Sequence, residues 1–160
     1  MRYLNKIVFI NSAAIRYSEV QLDGNIHLIG TQGVGKSTIL RAILFFYNAD
    51  TQRLGIPVEK KSYQDYYFPY ADSSIIYEVA REDGWFTVLS YKTMNRICYR
   101  FIASPYRPDL FIDEEGAPYP SDRIRSVLDK NGIKYSGAIS TYEEYLSLIH
   151  ISEPTRLRRI

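Results

Sequence analysis

The chain has 160 residues, of which 46% are hydrophobic and 24% charged, a composition typical of a globular domain that can bury a core. This composition excludes a disordered or collagen-like chain. Cys98 is the single cysteine, so no internal disulfide can form. One cysteine and two distant histidines also cannot make a zinc-type ligand set. The apolar runs are too short to span a bilayer, and the first residues lack the apolar stretch of a secretory signal, so we expect a cytoplasmic protein with no membrane partner.

The formal net charge of +2 comes entirely from residues 146–160, where Arg156, Arg158 and Arg159 outnumber Glu153. Without them no excess of basic residues indicates nucleic-acid binding. Residues 146–156, LSLIHISEPTR, resemble the translation of a transposase adapter used in sequencing libraries. We therefore interpret residues 1–145 as the natural domain and 146–160 as a non-native tail. A genuine amphipathic helix end with a basic terminus is the alternative.

The first third of the chain predicts strands followed by a helix. Residues 6–11, 14–22 and 25–30 are short β-rich runs, with a tight turn expected at Asp23-Gly24 because glycine tolerates positive φ. Residues 37–48, STILRAILFFYN, carry apolar side chains at helical spacing almost all round. This pattern predicts a helix buried against a sheet.

A second strand group is predicted at residues 73–82, 85–93 and 96–104, with a hairpin at Asp83-Gly84 and a turn near Met94-Asn95. Residues 105–120 are expected to form a loop with one short strand and a turn at Glu115-Gly116. Two helices complete the prediction, one over 121–132 with Ser121 as N-cap and its end at Gly132, and one from about Thr141 into the tail.

Residues 30–37, GTQGVGKS, fit the phosphate-binding pattern G-x-x-x-x-G-K-[ST] after a predicted strand and at the start of a predicted helix. Glycines let backbone amides approach phosphate oxygens, and the helix N-terminus adds partial positive charge. The alternative is a glycine-rich turn with a coincidental lysine. The predicted nucleotide-binding residues are Gly30, Thr31, Gln32, Gly33, Val34, Gly35, Lys36, Ser37 and Thr38.

These residues have distinct expected roles toward ATP and Mg²⁺. We expect Lys36 to reach the β- and γ-phosphates, Ser37 to ligate the Mg²⁺ that bridges them, and Thr38 to donate to the α-phosphate. Hydrolysis also needs a carboxylate, and Asp113 and Glu114 are the only candidates because they follow the apolar residues 110–112, as in a Walker B site. A surface hairpin is the competing interpretation.

The early strands, the loop G-x-x-G-x-G-K-S-T, the apolar helix and the later antiparallel strands resemble an ABC-type ATPase head. More narrowly, residues 3–145 are similar to the amino-terminal half-head of SMC-like proteins of the MukB and Wadjet JetC type. Gln32 departs from the asparagine common in these loops. The resemblance implies an α/β P-loop NTPase lobe with mixed and antiparallel strands, an incomplete domain.

In such families the Walker B and LSGGQ-like motifs lie in a carboxyl-terminal half-head beyond a long coiled coil, and no LSGGQ-like motif occurs here. The resemblance implies ATP-dependent head engagement, with that half-head and a second head in a homodimer as partners, and DNA bound through the full-length complex. Such heads can carry accessory subunits. This chain would then bind ATP without hydrolysing it.

The alternative is a self-contained small P-loop NTPase or kinase that uses Asp113 as its Walker B carboxylate. A GTPase would be expected to carry an N-K-x-D motif, which this sequence lacks. A kinase would be expected to have a basic lid, but the basic residues in 48–61 are only Arg53, Lys60 and Lys61. We favour the ATPase head.

Two other groups of residues attract hypotheses. Asn11 and Ser12 resemble the position that approaches the nucleotide in such heads, although a plain turn explains them equally well. The tyrosines of residues 63–70 could stack on bases, but no Lys or Arg is interleaved among them. We therefore expect these tyrosines to pack on the sheet or on a partner.

Overall fold

The computed structural model describes residues 2–22, 35–48, 63–94 and 96–149. Its strands are β1 (Arg2–Ser12), β2 (Ile15–Gln21), β3 (Ser74–Arg81), β4 (Gly84–Thr93) and β5 (Arg96–Ile102). Its α-helices are α1 (Lys36–Asn48), α2 (Tyr63–Tyr67), α3 (Ser121–Lys130) and α4 (Tyr142–Ile149), and a 3₁₀ turn spans Pro108–Leu110. The described strands form one sheet in the order β2-β1-β3-β4-β5, and each described pair is antiparallel.

The sheet is covered on both faces because its central strands bury alternate side chains on opposite sides. On β1, Ile7 and Phe9 pack in a cluster with α1 and α4, which we call the α1 face. Val8 and Ile10 pack in a second cluster with α3 and the 3₁₀ turn, which we call the α3 face. The nearly continuous apolar runs of β1 and β3 follow from this double burial.

Tight turns connect β1 to β2 and β3 to β4. The predicted Asp83-Gly84 hairpin is confirmed, and Gly84 has φ +140. The β1–β2 hairpin closes through Ala13 and Ala14, whose φ angles of +50 and +63 lie in the left-handed region. Two successive positive φ angles are the pattern of a type I′ turn, which usually carries Asn-Gly and imposes the twist of the strands. Two alanines in this turn therefore hold strained backbone.

The outer edge of β5 is covered by residues 134–139. Tyr99 and Ile139 exchange two backbone hydrogen bonds of 2.9 and 2.8 Å, and the N–H of Ser136 donates to the carbonyl of Phe101 at 2.8 Å. The backbone groups of Tyr99 and Phe101 on this edge are therefore not available to another chain. Strand β2 is the other edge of the described sheet.

Most of the predicted elements are confirmed, including the helix at residues 37–48, both strand groups within the described residues and the helix that starts after Thr141. The predicted strand at 25–30 and the Asp23-Gly24 turn lie outside the described residues. The described strands are all antiparallel. Because the predicted strand at 25–30 lies outside the described residues, the mixed sheet implied by the resemblance stays a prediction. No helix within the described ranges is long and apolar enough to cross a membrane.

Two local predictions are wrong. Pro120, with φ −60 and ψ 157, is the N-cap of α3, and Ser121 is the first helical residue. The strand expected at 110–112 is replaced by the 3₁₀ turn, with only a single bridge between Ile112 and Pro118. Pro108 explains this difference, because a proline favours the first position of a helical turn.

Candidate nucleotide-binding site

The carboxyl end of the phosphate-binding motif begins helix α1. The N–H of Ile39 donates to the carbonyl of Gly35 at 3.2 Å, which closes the first helical turn. Lys36 and Ser37 are exposed, whereas Ile39 and Ala42 are fully buried against the sheet. The motif residues Gly30, Thr31, Gln32, Gly33 and Val34 lie outside the described residues. The helix thus anchors itself through its apolar face and presents the lysine and serine to solvent.

The start of α1 is electrostatically suited to an anion. The helix has 13 residues and no acidic residue in its first turn. Its partial positive charge and the Lys36 ammonium therefore act together. A Cβ built on Gly35 would meet no atom of the described residues within 4 Å. These residues fit a phosphate chain, with the Ser37 hydroxyl available to a bridging Mg²⁺.

Thr38 is held by two tyrosines of α2. Its Oγ1 lies 3.2 Å from the hydroxyl of Tyr66, and its carbonyl accepts a hydrogen bond of 2.8 Å from the hydroxyl of Tyr67. Tyr67 is fully buried, and burial raises the pKa of its hydroxyl, so the phenol remains a protonated donor. The rings of Tyr66 and Tyr67 meet edge to face at 4.9 Å. Helix α2 therefore packs directly on the first turn of α1.

The same short helix also contacts the β1–β2 hairpin. The N–H of Ala13 donates to the carbonyl of Tyr66 at 3.2 Å. Beyond α2, the N–H of Tyr70 donates to the Ser73 hydroxyl at 2.9 Å, and that hydroxyl in turn donates to the carbonyl of Asn11. Sequence reasoning placed these tyrosines on the sheet or a partner and missed their contact with the motif. The only sequence signal for this contact is the run of tyrosines that follows the motif.

Asn11 and Ser12 lie at the end of β1, where the backbone departs from regular strand geometry. Asn11 has φ +46. Ser12 is fully buried, and its Oγ has no hydrogen-bond partner among the described residues. A buried hydroxyl without a partner is uncommon and costs free energy. Their predicted approach to a nucleotide stays a prediction.

Asp113 lies in a turn on the α3 face. Its Oδ1 accepts hydrogen bonds of 2.9 Å from the N–H groups of Glu115 and Ala117. The preceding Leu110 and Phe111 pack in the cluster of the α3 face, whereas Ser37 belongs to the helix on the opposite face. The structure therefore does not bring Asp113 beside Ser37. Glu114 is exposed, and the described ranges hold no group of three or more His, Cys, Asp or Glu that could bind a metal ion.

Residues 11–153 match the family described as "Protein of unknown function (DUF3584)", and the chain belongs to this family. The matched range includes the start of α1, all of α2 and residues 146–153 of the suspected tail. No curated protein and no solved structure matches the chain. The functional argument therefore depends on the site itself.

Proposed function

We propose that this chain binds Mg²⁺·ATP through residues 30–38 and is the amino-terminal half of an ABC-type, SMC-like ATPase head. The observation that carries the proposal is the position of the motif. Lys36 and Ser37 are the first two residues of α1 and both are exposed, whereas Ile39 and Ala42 on the following turn are fully buried. A rigid helix with a cationic, solvent-facing start is the arrangement on which P-loop phosphate binding depends.

Within this proposal Lys36, Ser37 and Gly35 have separate tasks. Lys36 supplies the counter-charge for the β- and γ-phosphates, and Ser37 ligates the Mg²⁺ between them. Gly35 has no side chain, and no atom of the described residues lies within 4 Å of where its Cβ would be, which supports close approach of a phosphate group to this backbone. ATP and Mg²⁺ are thus the proposed cofactors.

The proposed mechanical role follows from the resemblance of the motif and its flanking elements to SMC-like heads. ATP bound to this half would be enclosed by the carboxyl-terminal half-head and the signature surface of a second head. Their engagement would move attached arms on DNA, in a full-length complex that can include accessory subunits. The position of Asp113 supports this version over a self-contained NTPase or kinase, because its carboxylate caps a turn on the opposite face of the sheet.

Titration of the full chain with a fluorescent ATP analogue and Mg²⁺ tests the nucleotide site. Lys36→Ala should abolish most of the binding, because it removes the main phosphate counter-charge. Lys130→Ala is the matched control, since it deletes one exposed lysine at the end of α3, on the other face. Equal affinity of the Lys36→Ala variant and the unchanged chain, with both folded by circular dichroism, would overturn the proposal.

A further inference from the structure

Thr38 is the point at which the proposed nucleotide site meets the rest of the fold. Only 9% of the residue is exposed, and its Oγ1 lies 3.2 Å from the Tyr66 hydroxyl. A threonine hydroxyl has one proton to donate and two lone pairs that accept. Thr38 can therefore donate to a phosphate oxygen while it accepts from Tyr66.

Tyr66 is held in place by contacts other than the one between its own hydroxyl and Thr38 Oγ1. Its carbonyl accepts from the N–H of Ala13 at 3.2 Å, and its ring packs edge to face on Tyr67, which is fully buried. The Tyr67 hydroxyl donates to the carbonyl of Thr38 at 2.8 Å. The phenol of Tyr66 is thus presented to the threonine by a segment fixed on two sides.

We propose that Tyr66 is a positioning residue for the triphosphate: its O–H donates to Thr38 Oγ1 and so directs the Thr38 proton to the α-phosphate. This inference rests on the proposed function. Without nucleotide either hydroxyl can be the donor, and a bound phosphate selects the arrangement in which Tyr66 donates. A hydroxyl restricted to these two arrangements loses less freedom on binding than a freely rotating one, which increases affinity.

The test compares Mg²⁺·ATP affinity in single and double variants of the full chain. Tyr66→Phe keeps the ring and removes only the hydroxyl, and it should raise Kd about two- to tenfold, the effect of one hydrogen bond. Thr38→Val should raise Kd at least as much. In the Thr38→Val background Tyr66→Phe should have no further effect, because Tyr66 acts through the threonine. Thr38→Ser keeps a hydroxyl and should preserve both the affinity and its sensitivity to Tyr66→Phe.

Tyr77→Phe separates positioning from stability. The Tyr77 hydroxyl donates to the carbonyl of Ala42 at 3.1 Å, so this variant loses a tyrosine hydrogen bond to the same helix one turn further on. It should lower the melting temperature and leave Kd unchanged. The inference is overturned if Tyr66→Phe binds as tightly as the unchanged chain, or if its effect adds fully to that of Thr38→Val. If either of these results occurs but Lys36→Ala still loses binding, only the role of Tyr66 is overturned and the proposed nucleotide site is supported. If the unchanged chain binds no nucleotide, both proposals are overturned.

Discussion

The hydroxyl of Tyr145 donates a hydrogen bond to the backbone carbonyl of Phe46. Phe46 lies in the last turn of α1, where carbonyls have no amide partner within the helix. Tyr145 therefore satisfies a carbonyl at the end of the helix that begins with Lys36 and Ser37 of the candidate motif. It is fully buried and stacks on Tyr99 of β5 with ring centroids 4.1 Å apart. Helix α4 is thereby joined both to α1 and to the sheet.

This bond predicts a stability loss in Tyr145→Phe. The variant keeps the ring in place and leaves a carbonyl without its donor, so the free energy of unfolding should fall by about 1–3 kcal/mol. Urea unfolding followed by circular dichroism measures the change. Ser147→Ala, an exposed position of the same helix, should change it by no more than about 0.5 kcal/mol. A Tyr145→Phe variant as stable as the parent would contradict the role assigned to this bond.

The suspected adapter tail leads to a second prediction. Ile149 is 3% exposed in the cluster of the α1 face, and Leu148 packs against the same cluster. Ending the chain after Ile149 should leave the melting temperature unchanged, whereas ending it after Tyr145 should lower stability by about 2 kcal/mol or more, because a buried apolar side chain is lost. If both shortened chains melt like the parent, residues 146–149 contribute nothing and the whole segment from Leu146 is dispensable, as the adapter resemblance implies.

The turn at Asp113 predicts the outcome of a turnover assay. The chain alone should release phosphate from ATP no faster than buffer, and Asp113→Asn should leave that rate and the fold unchanged. An asparagine Oδ1 can still accept from the N–H groups of Glu115 and Ala117. Phosphate release above the blank that disappears in Asp113→Asn would instead establish the self-contained enzyme.

Two fully buried serines should respond oppositely to replacement by alanine. Ser12 Oγ has no partner among the described residues, whereas Ser90 Oγ donates to the carbonyl of Ile75 at 2.7 Å. Ser12→Ala removes an unsatisfied hydroxyl and should raise the free energy of unfolding by about 1 kcal/mol, and Ser90→Ala should lower it by about as much. Thermal denaturation of both variants decides the matter. Destabilisation by Ser12→Ala would mean that its hydroxyl has a partner.

Buried tyrosines predict loss of stability at alkaline pH. Burial raises the pKa values of Tyr99, Tyr106 and Tyr145 well above the ordinary value of 10.0. Above about pH 10 the unfolded chain has released phenol protons that the folded chain still binds, so stability falls as pH rises. Below that pH these phenols are protonated in both states and add no pH dependence.

Urea unfolding between about pH 8 and about pH 11, with tyrosinate absorbance recorded in parallel, measures this effect. The absorbance of the buried phenols should appear together with the loss of secondary structure. Tyr145→Phe should reduce the alkaline slope, because it removes one buried phenol. If all the tyrosines ionise while the circular dichroism signal is still native, these phenols are not buried in the folded chain.

How far the sequence predicts this fold depends on whether the signal is local. Helix α1 and the β3–β4 hairpin follow from short-range patterns, apolar spacing and Asp83-Gly84, and both are confirmed. The N-cap of α3 was misassigned because a preceding proline imposes extended geometry without a side-chain acceptor, and this competes with the usual preference for serine.

The site divides in the same way. The identity of Lys36 and Ser37 as motif residues is a local pattern, and their exposure at the start of a helix agrees with it. The contact of Tyr66 with Thr38 joins residues 28 positions apart, and no periodicity encodes it. The location of Asp113 could not be predicted either, since its sheet face is fixed by the packing of Phe111 against α3 and β1 rather than by the acidic pair itself.

The position of β1 between β2 and β3 has a consequence for how the chain is made. Strand β1 pairs with β2 on one side and with β3 on the other, but β3 ends only at Arg81. On a ribosome that adds about 5–20 residues per second, the first strand therefore waits on the order of several seconds for its second neighbour. Throughout that interval one row of its backbone groups is unpaired. A pause in translation between residues 22 and 74 should accordingly increase the fraction of newly made chains that aggregate.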